Sequence, residues 1–155
     1  MTFAKLFYHI VWATNNREPF ITSEIEPRIF RHLVENSYSL GCNIIAINGS
    51  EDHVHLLIQI PPKYAVADIV KKLKGSSSFD FQDLFWQRGY GALTVSERNL
   101  NAAIDYIKRQ KEHHFQNTII NKYEKCDDDK ERTEKLIREN QDSYEIGETT
   151  SDFEF

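Results

Sequence analysis

The sequence predicts a single α+β domain of the split βαβ, ferredoxin-like kind: an antiparallel sheet with helices on one face, followed by an extra C-terminal helix. Three observations predict it. Four runs are rich in aromatic and β-branched residues, three others repeat apolar side chains at helical spacing, and the two kinds follow one another as strand, helix, strand, strand, helix, strand, helix. A chain of 155 residues with 40% hydrophobic content also supports one core rather than two.

Residues 3–13 (FAKLFYHIVWA) suit a half-buried pleated strand. Thr22, Ser23 and Glu24 form a helix start, after which Ile25, Ile29, Leu33 and Val34 recur near helical spacing in a helix expected to end at Gly41. Residues 42–47 and 53–60 are apolar runs joined by Asn48-Gly49-Ser50-Glu51-Asp52, a turn-prone stretch that makes them a hairpin. Pro61 and Pro62 stop the second run, and Val66, Ile69, Val70 and Leu73 mark a helix expected to end around Gly75. Residues 85–95 (FWQRGYGALTV) have strand composition, with Gly89 and Gly91 marking a bulge or a close backbone approach. Ser96 to Asn99 opens the last helix, whose apolar stripe Leu100, Ile104 and Ile107 runs towards Phe115.

The net charge of −5 is unevenly placed. Residues 1–122 carry 14 basic against 12 acidic side chains, whereas residues 123–155 carry 5 against 12. The main body is therefore slightly basic, which keeps nucleic acid open as a partner, and the acidity belongs to a tail. That tail is poor in large apolar groups, with a short helix expected around 131–140 and a loose end. No run approaches the roughly 20 apolar residues that span a bilayer, and the N-terminal residues lack a secretory pattern, so a cytoplasmic protein without membrane contact is expected. Cys42 and Cys126 form neither a disulfide framework nor a cysteine metal site, and reduced thiols are expected.

His53 and His55 stand two apart on a strand, so both imidazoles share one face. Such a pair can ligate a divalent metal or sit as half-buried core histidines, and by itself selects no reaction. Tyr106 and Gln110 stand four apart on the last helix and share a face beside its apolar stripe, a place equally suited to a boundary tyrosine and a solvated glutamine. His113 and His114, near the end of that helix, are expected to complement its dipole as imidazolium and not to be ligands.

The combination is more specific than its parts. EDHVHLLIQ (51–59) followed by YIKRQKEHH (106–114), with YHIVWATNNREPF (8–20) and WQRGYGALTVS (86–96) in the same order, resembles the HUH-type single-tyrosine transposases of bacterial insertion sequences and their repeat-associated relatives. The resemblance covers about the first three quarters of the chain and implies a transposase domain over 1–122 with an acidic C-terminal tail over 123–155. It implies Tyr106 as nucleophile, and His53, His55 and Gln110 as ligands of Mg²⁺ or Mn²⁺. It further implies a hairpin in single-stranded DNA as partner, a homodimer in which one chain's tyrosine helix can complete the other's site, and no nucleotide cofactor.

The chemistry wants such an arrangement because a neutral phenol, with a pKa of about 10, is a poor nucleophile towards a negatively charged phosphodiester. A cation polarises the phosphate and orients it for in-line attack. Lys71, Lys72, Lys74, Arg88, Lys108, Arg109 and Lys111 are candidates for phosphate contact, and equally for ordinary solvated charges. Trp86, Tyr90 and Phe79 are candidates for base stacking, with core packing expected for at least two of them. Two other readings stay open: a domesticated or inactive hairpin-binding protein, and another HUH endonuclease of the replication-initiator or relaxase type. A purely structural ferredoxin-like protein would bind no metal at the histidines.

Overall fold

The computed structural model describes residues 2–126 together with 137 and 138. Its four strands are β1 (Phe7–Ala13), β2 (Asn43–Gly49), β3 (His53–Gln59) and β4 (Gly91–Val95), all antiparallel in the order β2-β3-β1-β4. Helices α1 (Glu26–Ser39) and α2 (Val66–Asp80) follow β1 and β3. This is the ferredoxin-like arrangement expected from the alternation of periods.

The two faces of the sheet are covered differently. Ile10 and Trp12 of β1 and Val54, Leu56 and Ile58 of β3 point to one side and pack with Ile29 and Leu33 of α1 and Ile69, Val70 and Leu73 of α2. On the other side, Leu57 and Ala46 pack against Tyr106 and Ile107 of α3 (Leu100–Lys108). Every residue of β3 from His53 to Ile58 is therefore buried. That double burial explains why HVHLLI carries no charged residue and ends in the unbroken apolar run Leu56-Leu57-Ile58, unlike a strand wet on one face.

Element ends depart from expectation for local reasons. β1 begins at Phe7 and not at residue 3, because its pairing with both neighbours starts there while Phe3 is exposed. β2 extends to Gly49 and β3 stops at Gln59, a shift of one or two residues from the anticipated hairpin. Val34 lies off the buried face of α1, which comprises Ile29, Leu33 and Ser37. α2 does not stop at Gly75: buried Ser77 bonds back to the Leu73 carbonyl at 2.8 Å and accepts the Trp86 Nε1–H at 2.8 Å, which keeps the last turn on the core.

β4 is shorter than the expected strand over 85–95. Gly89 adopts φ +84°, Lys74 Nζ donates to the Gln87 and Gly89 carbonyls at 2.7 and 2.8 Å, and only Trp86 makes an isolated bridge, to Thr14. The last helix is two: α3 ends at Lys108 and α4 (Gln110–Gln116) follows after a bend at Arg109. Asn48 of β2 accounts for the bend, donating to the Lys108 carbonyl at 2.8 Å and accepting from Lys111 Nζ at 2.7 Å.

The boundary anticipated after residue 122 falls within α5 (Asn121–Glu124), and packing continues to Cys126, which lies buried against Val11 and Ala13. Cys42 and Cys126 are not joined in a disulfide. Apart from Ile137 and Arg138, the helix expected around 131–140 lies outside the described residues. Among the described residues no helix is long and apolar enough to cross a membrane.

Two glycines should answer oppositely to alanine. At Gly91 an added Cβ would collide with the Lys125 carbonyl oxygen and crowd Val11, whereas at Gly75, inside α2, it meets nothing within 4 Å. Gly91→Ala is expected to cost about 1–3 kcal/mol by overpacking, and Gly75→Ala to stabilise by roughly 0.5–1 kcal/mol through helix propensity. Urea denaturation of the two variants checks both signs.

Candidate active site

The face of the sheet turned towards α3 carries the polar groups. Period two along β3 places His53, His55 and Leu57 there, and along β1 it places His9, Val11 and Ala13. His9 lies opposite Leu57 and thus diagonal to His55; its Nε2 is 2.8 Å from His55 Nδ1. His53 Nδ1 lies 2.6 Å from Asp52 Oδ1 and 3.0 Å from Ser50 Oγ, so the turn of the hairpin orients that ring. Both ring edges left over, the Nε2 atoms of His53 and His55, face α3 and α5.

From the helix side come Tyr106, in the last turn of α3, and Gln110, the first residue of α4. Neither lies at a wet boundary as the sequence allowed: Tyr106 is 5% and Gln110 0% exposed. The Tyr106 ring meets His55 edge-on at 6.1 Å and stacks on His113 at 4.7 Å. Its hydroxyl donates to Glu124 Oε1 at 2.6 Å and accepts the Ile120 N–H at 3.1 Å. The other oxygen, Glu124 Oε2, lies 3.5, 3.2 and 3.6 Å from the Nε2 atoms of His53, His55 and His114. A single carboxylate thus links the phenol to three imidazoles. Buried His53 Nε2 and Gln110 Oε1 make no hydrogen bond among the described residues, and His53, His55, His114 and Glu124 each offer a donor atom within 4.8 Å of the others.

The electrostatics follow from burial. Burial, with the neighbouring His55, pushes His9 down to about 3, so it is neutral at physiological pH. Burial likewise lowers His55. For Glu124 burial alone would raise the carboxyl, but the hydrogen bond and charge of His55 and the Tyr106 hydroxyl outweigh it and hold the group at about 2. Burial and the hydrogen bond to Glu124 push Tyr106 up to about 12. Asp52 is held at about 2, chiefly by its bond to His53.

Of the four residues singled out in the sequence, His53, His55 and Tyr106 are joined through Glu124 within one chain, and Gln110 lies buried one turn beyond Tyr106, its Nε2 3.5 Å from the Tyr106 carbonyl. Three others join them. His114 was expected to act as a helix-end cation; instead burial and the neighbouring His53 lower its pKa, and its ring lies 4.7 Å from that of His53. The signal was present, because Tyr106, Gln110 and His114 stand at successive intervals of four. His9 was legible as a polar side chain in an apolar strand. Glu124 carried no spacing signal: it arrives by a chain reversal at Asn117, which has φ +55°.

The proposed phosphate contacts are scattered. Lys71 and Lys72 are exposed on α2, which covers the opposite face of the sheet, and Lys74 is committed to the Gln87 and Gly89 carbonyls. Arg109 is forked onto Glu112 and faces Asp105, Lys111 pairs with Glu26, and Arg88 and Lys108 are exposed. Of the aromatics, Trp86 and Tyr90 pack on the core and Phe79 is 84% exposed.

The model of the IS200-like transposases matches residues 2–110, the stretch that carries the four-stranded sheet, the histidine pair, Tyr106 and Gln110. The chain therefore belongs to the IS200-like transposase family, whose members are enzymes that act on DNA. It is 30% identical over 118 residues to the ISDra2 transposase TnpA of Deinococcus radiodurans, covering 68% of this chain and 84% of that one. It is 34% identical over 117 residues to the transposase for insertion sequence element IS200 of Salmonella typhimurium, covering 68% and 76%. In structure it is similar to a Deinococcus radiodurans protein assigned as a transposase, with TM-score 0.59 and 29% identity over 70% of this chain and 93% of that one. A REP-associated tyrosine transposase solved with a REP hairpin shares the fold at TM-score 0.58 and 14% identity, over 74% and 72%.

The buried phenol has a pH signature. An unfolded tyrosine ionises near pH 10 and Tyr106 near 12 in the fold, so above pH 10 the unfolded chain releases the proton first. The stability contributed by this phenol is intact below pH 10 and declines as pH rises towards 12. In the metal-free protein the denaturation midpoint of Tyr106→Phe should fall less steeply than that of wild type across this window, and its tyrosinate absorbance titration should lack the latest component.

Proposed function

We propose that the protein cuts and rejoins single-stranded DNA at hairpin-marked element ends. Tyr106 attacks the scissile phosphate, and His53, His55 and Gln110 hold a divalent cation, Mg²⁺ or Mn²⁺. The observation that carries this reading is that, inside one chain, the Tyr106 hydroxyl and the imidazole pair converge on the two oxygens of one carboxylate, Glu124. The donor set fits a cation: His53 Nε2 and Gln110 Oε1 are buried without hydrogen-bond partners among the described residues, a cost that ligation would remove. When bound, the ion supplies Lewis-acid polarisation of the phosphate.

The protein's own groups position the nucleophile. Stacking on His113 aims the Tyr106 ring, whereas the two hydrogen bonds of its hydroxyl hold it only until a substrate arrives. As the phenolic oxygen forms its bond to phosphorus, the bond to the 3′ oxygen breaks, the phenol loses its proton and the departing 3′ oxygen gains one. The product is a 5′-phosphotyrosine link and a free 3′ hydroxyl. The phosphoester energy is retained, so attack by another 3′ hydroxyl reseals a strand without a nucleotide cofactor. A cleft of about 640 Å³ lined by His9, Val95, Asn99, Tyr106 and Lys122 gives a strand a path to the phenol. The phenol itself is buried, so the contacts from Ile120 and Glu124 must open for phosphate to arrive.

The proposal extends to phosphate contacts by Lys71, Lys72, Arg88 and Lys108, which are exposed, and by Lys74 and Arg109 if they leave their present partners. It also extends to a homodimer. Because one chain contains the whole set, mixing Tyr106→Phe with His53→Ala chains should restore nothing; activity in the mixture would show that tyrosine helices are exchanged.

The decisive experiment offers a single-stranded hairpin oligonucleotide with Mg²⁺ or Mn²⁺ and looks for a covalent adduct on a denaturing gel. Wild type should form it, chelation should abolish it, and Tyr106→Phe should abolish it while keeping DNA binding. An adduct formed by the Phe variant sinks the assignment. Hairpin binding by wild type with no adduct under any divalent metal would leave a hairpin-binding module in its place.

A further inference from the structure

We infer that in the DNA-free protein the cation site is closed by His114 and Glu124, giving three imidazoles and one carboxylate, a tetrahedral set that takes a borderline ion such as Zn²⁺ or Co²⁺ in preference to Mg²⁺. The inference rests on the reading that the histidine pair holds a cation, and it changes the remaining donors.

Spacing is the first argument. An ion roughly 2.0–2.1 Å from its nitrogen and oxygen donors has tetrahedral edges of about 3.4 Å. The three edges from Glu124 Oε2 to His53, His55 and His114 are 3.5, 3.2 and 3.6 Å. The 3.2 Å separation from His55 also suits a hydrogen bond, but those of 3.5 and 3.6 Å are long for one, and all three are right for donors that share an ion.

The second argument is the orphaned nitrogen. In the tautomer that donates Nδ1–H to Asp52, His53 presents the Nε2 lone pair to the Glu124 carboxylate, buried and with no hydrogen-bond partner among the described residues. Two lone pairs facing each other in a dry site repel; an ion between them removes the repulsion. The carboxylate behind His53, and His9 behind His55, orient these rings from the far side as outer partners of metal-bound imidazoles do.

Donor chemistry then selects the metal. Mg²⁺ demands near-octahedral oxygen and dehydrates reluctantly, whereas imidazole suits Zn²⁺ and Co²⁺. Gln110 is not needed in this state. Four protein donors leave no open position, so an incoming phosphate must replace one. Glu124 is the donor placed to leave, because it lies on the short α5 and not on the sheet or the α3–α4 pair.

The test uses the metal-free full chain titrated with Co²⁺, whose visible bands report four-coordinate geometry, without DNA. Wild type should give tetrahedral bands that a large excess of Mg²⁺ leaves in place. His114→Gln and Glu124→Gln should each weaken Co²⁺ binding by at least the roughly 10- to 100-fold that even outer partners contribute. X-ray absorption on the Zn²⁺ form of wild type, which needs no variant to fold, should count three imidazoles. Two imidazoles, or full Co²⁺ binding by both His114→Gln and Glu124→Gln, overturns the inference while leaving the histidine pair as a metal site. Unchanged Co²⁺ binding by His53→Ala, or no binding by wild type, overturns both; adduct formation on DNA then separates the catalytic reading from the metal reading.

Discussion

The central constraint is the double burial of β3. It lies between β1 and β2 and is covered by α1 and α2 on one face and α3 on the other, so its period of two sorts side chains into two unlike environments. Val54, Leu56 and Ile58 build the main core; His53, His55 and Leu57 face α3. A slip of one residue would bury the imidazoles among aliphatic side chains and turn Val54 and Leu56 towards Tyr106. The hairpin turn fixes the register tightly: a Cβ at Gly49 would run into the His53 carbonyl. Packing that stabilises the fold and geometry that aims the imidazoles are therefore one requirement.

The second face is a polar cluster in an apolar wall. His9, His53, His55, Gln110 and Tyr106 are all buried there, with Leu57 and Ile107 among them. Such groups are tolerated only when bonded, and most are: His9 to His55, His53 to Asp52, Tyr106 to Glu124 and Ile120. The exceptions, His53 Nε2 and Gln110 Oε1, are the atoms suited to a ligand. The same burial disfavours charge on His9 and His55, and an uncharged imidazole is the form that can donate a lone pair to a cation.

The segment beyond α4 joins fold to dynamics. After the left-handed turn at Asn117, Ile120, Tyr123 and Glu124 close over the tyrosine, and the close backbone approach of Lys125 to Gly91 seats the segment on β4. A phenol held this way is fixed in place and poorly accessible. Exposing it requires only the contacts of one short helix to open, a smaller change than any movement of the sheet.

The sequence by itself determined the order of elements, the face-sharing of His53 with His55 and of Tyr106 with Gln110, and the family. Each of these depends on local period and residue type, which a chain carries without its fold. Element ends were less legible: α2 runs past Gly75 because Ser77 is held by the core and Trp86, and the last helix breaks at Arg109 because Asn48 engages Lys108 and Lys111. Only the tertiary structure brought the two faces together within one chain and added His9, His114 and Glu124. Glu124 shows the reason most plainly. It lies 69 residues along the chain from His55, and the contact exists only because an antiparallel sheet, a bent helix and a left-handed turn return the chain to the same spot.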